Sequence, residues 1–284
     1  MCDETTVRDN ETAGLSRRDF AVSGAALAML LPSPANAVTV TESDVNVTTP
    51  DGVADCYFVH PSSGPAPAVL IWPDILGLRP TFRAMGKRLA ESGYAVLVVN
   101  PFYRSAKAPI LKEGESFSDP AVRAKLTPMA RALTADTQTR DATAFVSWLD
   151  SQKAVDTRRK MATTGYCMGG PFVMRTAAAF PNRVGAAGTF HGGGLATDKP
   201  DSPHLLIPKM KASFLIAIAE NDDKNDPKAK DTLRASFAAA KLPAEIEVYG
   251  ANHGWCPPDM EAYNKDASEK AWSRQLALFA KALA

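Results

Sequence analysis

The six residues Gly165-Tyr166-Cys167-Met168-Gly169-Gly170 carry the strongest chemical signal in the chain. A strand-like segment, residues 161–166, runs straight into them, and helical spacing follows from residue 168. A nucleophile framed as Gly-x-Cys-x-Gly between a strand and a helix sits on a sharp turn whose flanks leave no room for side chains. The sulfur then stands at a helix N-terminus, whose partial positive charge favours thiolate over thiol. Its chemistry would be attack on a carbonyl carbon. The competing reading of the same residues is a small, buried, inert thiol with glycines that only turn the chain.

A thiol nucleophile needs a base, and four histidines are available. His253, in Ala251-Asn252-His253-Gly254-Trp255, follows the last strand-like segment and precedes the last helical one, so it can lean over the turn. His191 ends another strand and leads into Gly192-Gly193-Gly194, where it could line the site. His60 and His204 both neighbour prolines and read as surface groups. The base in turn needs a carboxylate to fix its tautomer. Glu220-Asn221-Asp222-Asp223 follow the strand before the histidine loop; Asp222 is the choice and Asp223 the reserve. The order nucleophile, acid, histidine is that of the α/β-hydrolases. An oxyanion hole in such a frame uses the N–H after the nucleophile, here Met168, and one after an early strand, here Ile75 in Trp72-Pro73-Asp74-Ile75-Leu76-Gly77.

These residues need a scaffold that brings strand ends together. Segments 44–49 and 54–60 read as a hairpin around Pro50-Asp51-Gly52. Continuous apolar runs at 67–72 and 94–99 read as strands buried on both faces. Further strands are predicted at 161–166, 185–190, 213–219 and 244–249. Helices are predicted at 81–92, 121–132, 135–152, 168–180, 226–241 and 260–282. Residues 100–120 read as an irregular loop in position to cover a site. Repeated βαβ units predict an α/β fold, a mostly parallel sheet with helices on both faces and its chemistry at the strand C-termini.

Composition narrows the class. The formal net charge of 284 residues is +1, too weak a field to hold nucleic acid. No apolar run reaches the roughly 18 residues that a membrane span requires. Four cysteines are too few for a disulfide scaffold, and no Cys-x-x-Cys or His-x-x-x-His pair suggests a metal. No cofactor is expected.

The first 37 residues read as an export signal. Ser16-Arg17-Arg18-Asp19-Phe20 precedes an apolar run from Ala21 to Leu31, then Pro32, Pro34 and the small-residue pattern Ala35-Asn36-Ala37. That order is a bacterial twin-arginine signal with cleavage after Ala37. It predicts the translocase as a partner during export, and a periplasmic or secreted protein without stable membrane association. Residues 38–284 then form one domain with three cysteines, so at least one thiol is unpaired within the chain. A Cys56–Cys256 disulfide would leave Cys167 as that thiol.

The Gly-Tyr-Cys-Met-Gly-Gly turn, Asp222 and His253-Gly254, in that order, resemble the dienelactone hydrolase family of the α/β-hydrolase superfamily over about residues 44–284. The resemblance implies a Cys167-His253-Asp222 triad and hydrolysis of an ester or lactone through a thioester acyl-enzyme, without metal or cofactor. It also implies a family glutamate that gates the thiol, at the position of Asp74, and arginines that hold a substrate carboxylate. Arg104 lies near one of these positions. The second, just after the histidine, holds Cys256, Pro257 and Pro258 instead. Asp74, Arg104 and His191 are therefore the candidates for substrate contact or thiol gating. Two other functions use the same residues: a general exported carboxylesterase or thioesterase, and a non-catalytic binding or redox-thiol protein on this scaffold.

Overall fold

The structure is a computed structural model that describes residues 31–34, 36–112 and 114–284. Most of the expected leader, including Arg17, Arg18 and Ala35, lies outside the described residues.

Eight strands form one sheet in the order β1-β2-β4-β3-β5-β6-β7-β8. β1 (Val40–Thr49) and β2 (Gly52–Pro61) form the expected hairpin. Its turn is closed by the Asp51 N–H, which donates to Thr49 Oγ1 at 3.1 Å. β2 meets β4 (Ala95–Val99) antiparallel, and β3 (Ala68–Trp72) to β8 run parallel. The remaining strands are β5 (Met161–Tyr166), β6 (Val184–Phe190), β7 (Ser213–Ala219) and β8 (Ala244–Tyr249). All five residues of β3 and of β4 are buried, as continuous apolar runs predict for strands covered on both faces.

The sheet separates two apolar layers. Leu70, Trp72, Leu97 and Val99 pack with Leu126 of α2 (Pro120–Arg131), Phe145 of α3 (Ala135–Asp150), Phe172 of α4 (Gly169–Ala179) and Phe237 of α6 (Ala229–Ala239). Val69, Ile71, Val96 and Val98 pack with Phe82 and Leu89 of α1 (Pro80–Glu91) and Phe279 of α7 (Lys265–Ala282). Alternation along each strand assigns its side chains to one layer or the other.

Two expectations change. The helix predicted at 226–241 occurs as α6, and an unexpected short helix, α5 (Glu220–Asn225), precedes it. Acidic Glu220, Asp222 and Asp223 in the first turn of α5 suit its positive end, so a stretch read as a loop becomes helical. The helix predicted from 260 starts at Lys265, where Asn264 Oδ1 accepts from the Ala267 N–H at 3.0 Å. The disulfide is also ruled out: Cys56 and Cys256 are buried and not joined in a disulfide. Cys56 lies in one apolar layer and Cys256 in the other, so the sheet itself keeps their sulfurs apart.

Among the described residues of 100–119 there is no strand or helix, but the segment is tied down. Asn100 Nδ2 donates to Asp55 Oδ1 and to the Ala106 carbonyl, and the Phe102 N–H donates to Asn100 Oδ1. The loop packs on the turn after β3: a Cβ on Gly77 would lie 3.3 Å from the Phe102 ring and 3.4 Å from Ile110. Among the described residues no helix is long and apolar enough to cross a membrane.

Candidate active site

Sheet register gathers the candidates before any side chain is considered. Trp72 pairs with Gly165, Tyr166 with Phe190, and Ala219 with Tyr249. The residues that follow those pairs, 73–77, 167, 191, 220–223 and 250–254, therefore emerge at one end of the sheet. Parallel strands present their C-termini together, which is why the chemistry collects there.

Cys167 stands at the turn from β5 to α4 with φ of 51°, a left-handed conformation that costs a residue with a Cβ. Two backbone hydrogen bonds hold it there: its N–H donates to the Phe190 carbonyl at 3.0 Å, and its carbonyl accepts from the Gly170 N–H at 3.1 Å. The flanking glycines are required by contact. A Cβ on Gly165 would lie 2.4 Å from the Gly169 carbonyl oxygen, and one on Gly169 would lie 2.3 Å from that of Trp72. The second approach seats the start of α4 against the end of β3. It thereby brings Met168 next to the turn that carries Ile75. In that turn the Gly77 N–H donates to the Asp74 carbonyl at 3.0 Å and the Leu76 N–H to Asp74 Oδ1 at 2.9 Å.

His253 is 1 % exposed and firmly oriented. Its backbone N–H donates to Asn221 Oδ1 at 2.8 Å, and its Nδ1 lies 2.7 Å from Asp222 Oδ2. Asp223 turns away and pairs with Lys230 at 2.7 Å, so Asp222 is the carboxylate at the imidazole. Burial works against a charged imidazole, but the Cys167 sulfur, to which it hydrogen-bonds, and Asp222 outweigh it and raise its pKa to about 10. At neutral pH the ring is an imidazolium beside the sulfur, the arrangement that stabilises a thiolate.

His191 joins the cluster. Its ring centroid lies 5.0 Å from that of His253, edge to face, and 5.8 Å from that of Trp255. Like Cys167 it is left-handed, with φ of 41°. It is 1 % exposed, and neither ring nitrogen has a hydrogen-bond partner among the described residues. Burial, and then the nearby positive His253, push its pKa well down, so it is neutral.

The other two candidates are taken up by salt bridges. Asp74 is 1 % exposed, with Oδ1 2.7 Å from Arg79 Nη1 and Oδ2 3.0 Å from Nη2. Arg79 in turn donates from Nε to Asp259 Oδ2 at 2.6 Å and from Nη2 to Oδ1 at 2.9 Å. Burial pushes the Asp74 carboxyl up and Arg79 opposes it. The structure does not bring Arg104 to the cluster. Its guanidinium is held by Asp141 and Asp51, between α3 and the β1–β2 turn.

Sequence reasoning missed Arg79, Asp259, Asn221 and Trp255. A charge set among Cys256, Pro257, Pro258 and Met260 was the available signal for Asp259. Arg79, directly before a helix-starting proline, carried none. Among the described residues no group of three or more His, Cys, Asp or Glu could hold a metal ion.

Comparisons with known proteins place the chain among relatives and a shared fold. A carboxymethylenebutenolidase from Rhodococcus opacus is 28% identical over 232 residues, which is 80% of this chain and 86% of that protein. A dienelactone hydrolase-like promiscuous phosphotriesterase from metagenomic libraries superposes with a TM-score of 0.72 at 22% identity, covering 86% of this chain and 99% of the other. The dienelactone hydrolase of Anabaena variabilis gives 0.59 at 18% identity, with coverage of 86% and 99%. These two solved structures share the fold. The family itself is set by sequence: residues 54–283 match the dienelactone hydrolase family, and the chain is a member of it, a hydrolase with the α/β-hydrolase fold.

Proposed function

We propose that the protein hydrolyses an ester or lactone by transfer of the acyl group to Cys167. The observation that carries this reading is the Asp222–His253 hydrogen bond aimed at a cysteine held in a left-handed turn. The Cys167 thiolate attacks the carbonyl carbon and forms a C–S bond. The N–H groups of Met168 and Ile75 receive the oxyanion. As the C–O bond breaks, His253 gives its proton to the leaving oxygen. It then takes a proton from water, which attacks the thioester and releases the acid and the thiolate. Asp222 keeps the imidazole aligned throughout. In a lactone the leaving oxygen stays tethered, so ring reclosure competes until water arrives.

The substrate class is a carboxylic ester or lactone, which is what the name of the Rhodococcus relative denotes. Mass spectrometry of the protein mixed with an ester and lactone library tests the mechanism. An acyl adduct on Cys167 is expected. Cys167→Ala is expected to lose hydrolysis by more than about 10³-fold while staying folded. Wild-type turnover in that variant would reject the mechanism.

We further propose that residues 1–37 direct twin-arginine export to the periplasm. N-terminal sequencing of the protein from the periplasm of an expressing bacterium is expected to begin at Val38. Retention in the cytoplasm at full length would reject this.

A further inference from the structure

His191 belongs to the wall of the site, and the acyl-transfer steps above give it no task. It directly follows Phe190, whose carbonyl accepts the Cys167 N–H at 3.0 Å. Its own N–H donates to the Ala217 carbonyl of β7 at 2.8 Å, which helps to hold its backbone left-handed. The glycines after it pack on the nucleophile helix: a Cβ on Gly170 would lie 2.8 Å from Gly192 Cα. In the sheet, β5 lies between β3 and β6. The turn that carries Ile75 therefore flanks Cys167 on one side, and His191 flanks it on the other.

The His191 ring is packed among His253, Trp255 and Tyr166, with centroids 5.0, 5.8 and 6.2 Å away. It is buried, and among the described residues neither Nδ1 nor Nε2 has a hydrogen-bond partner; Nε1 of the adjoining Trp255 has none either. A ring needed only to fill this wall would do so as phenylalanine, without losing the hydration of two nitrogens. A left-handed residue with an unpartnered polar ring beside the nucleophile is a group kept for a polar partner that arrives in turnover. Burial and the positive His253 both disfavour a proton on His191. The ring is neutral, so one of its nitrogens is a hydrogen-bond acceptor.

The reaction brings three oxygens to the site. The carbonyl oxygen turns toward the Met168 and Ile75 N–H groups, on the β3 side. The leaving oxygen takes its proton from His253. The attacking water has two protons to place: one goes to His253, and the other calls for an acceptor next to that ring.

We propose that His191 is a catalytic residue of the second half-reaction, whose acceptor nitrogen takes a hydrogen bond from the water that attacks the Cys167 thioester. By then the leaving oxygen has its proton and His253 is neutral. The water oxygen forms a C–O bond and passes one proton to His253. Its second proton stays on it, hydrogen-bonded to His191. The C–S bond breaks and sulfur leaves as thiolate beside the restored imidazolium. The product acid carries the second proton to solvent, and His191 is neutral throughout. The inference rests on the acyl-transfer reading above.

p-Nitrophenyl acetate separates the two halves. Release of 4-nitrophenol reports acylation, and rapid-quench mass spectrometry of the acetyl thioester on Cys167 reports its hydrolysis. In His191→Phe, which keeps the bulk without the nitrogens, the first nitrophenol is expected at the wild-type rate. Thioester decay is expected to slow by about 10²-fold, so that acetyl-enzyme accumulates. His191→Asn offers a carbonyl acceptor on a residue that tolerates the left-handed backbone, and should recover part of the decay rate. A packing role gives the opposite order, since Phe fills the space and Asn does not. If His191→Phe does not fold, His191→Gly, which that backbone favours, takes its place. Wild-type decay in the folded variant, acylation slowed as much as decay, or no recovery in His191→Asn would overturn the proposal. If the wild type forms no thioester on Cys167, or Cys167→Ala keeps hydrolysis, the acyl-transfer reading fails. If the thioester forms and the His191 variants clear it like wild type, only this inference fails.

Discussion

Arg79 and Arg104 each sit between a pair of aspartates, and they do different work. Arg79 lies between Asp74 and Asp259, against the loops that carry Ile75 and His253. Arg104 lies between Asp51 and Asp141 and ties the β1–β2 turn to α3. The chemistry of the two clusters is nearly the same. Their surroundings differ: Asp74 feels the charge on the Cys167 sulfur, whereas the Arg104 cluster is completed by Tyr103, whose hydroxyl donates to Asp141 and also bonds Thr49. An arginine near the expected substrate-binding position is therefore not a substrate ligand by virtue of that position. Whatever already neutralises it decides what it has left to offer.

Substitutions in the two regions sharpen that contrast. The largest effect is expected at the site end. Asp222→Asn removes the acceptor that fixes the His253 tautomer, and kcat/KM should fall by about 10²–10⁴-fold with the melting temperature little changed. Because the raised His253 pKa depends on Asp222 as well as on the sulfur, the ring stays protonated to higher pH in the folded wild type than in a free histidine. Wild-type kcat/KM should thus be flat through neutrality and decline through about 10 as the imidazolium is lost. That alkaline limb should move down in Asp222→Asn. A wild-type limb near the ordinary histidine range would contradict the proposed ion pair.

A smaller effect, on a different quantity, is expected at the hairpin end. Arg104→Met strips the partner from Asp141, whose side chain is only 3% exposed. Stability should drop by about 1–3 kcal/mol, reduced from the fully buried case because Arg104 is itself partly solvated. Thermal unfolding would register this as a fall of several degrees, while turnover stays within about twofold of wild type. A selective rise in KM for acid-bearing lactones would instead return Arg104 to the substrate. The smallest effect belongs to Asp223→Asn: its pair with Lys230 is half-buried and turned away from the imidazole, so the rate should stay at the wild-type value and stability should fall by no more than about 1 kcal/mol.

Much of the fold was legible from local pattern. β3 and β4 were expected at 67–72 and 94–99 and occur at Ala68–Trp72 and Ala95–Val99, because continuous apolar runs between turn residues define a buried strand closely. α5 was not legible. Six residues rich in acid and amide have no apolar stripe to mark a period, and the helix follows directly on β7 with its acids at its positive end. The choice between Asp222 and Asp223 was equally invisible, since two adjacent aspartates carry the same chemistry and only the helix orientation sends one to His253 and the other to Lys230.

The chain alone determined the turn at Cys167. At Gly165 a Cβ would strike the Gly169 carbonyl of the same turn, a demand that is local and visible in the residue types, while at Gly169 the distant Trp72 carbonyl adds to it. Tertiary structure decided the electrostatics around that turn. Which carboxylate meets the imidazole, which carboxylates bury Arg79, and that Cys56 and Cys256 lie on opposite sides of the sheet all depend on groups far apart in the chain. Charge interactions act through space, and only the folded sheet sets those distances.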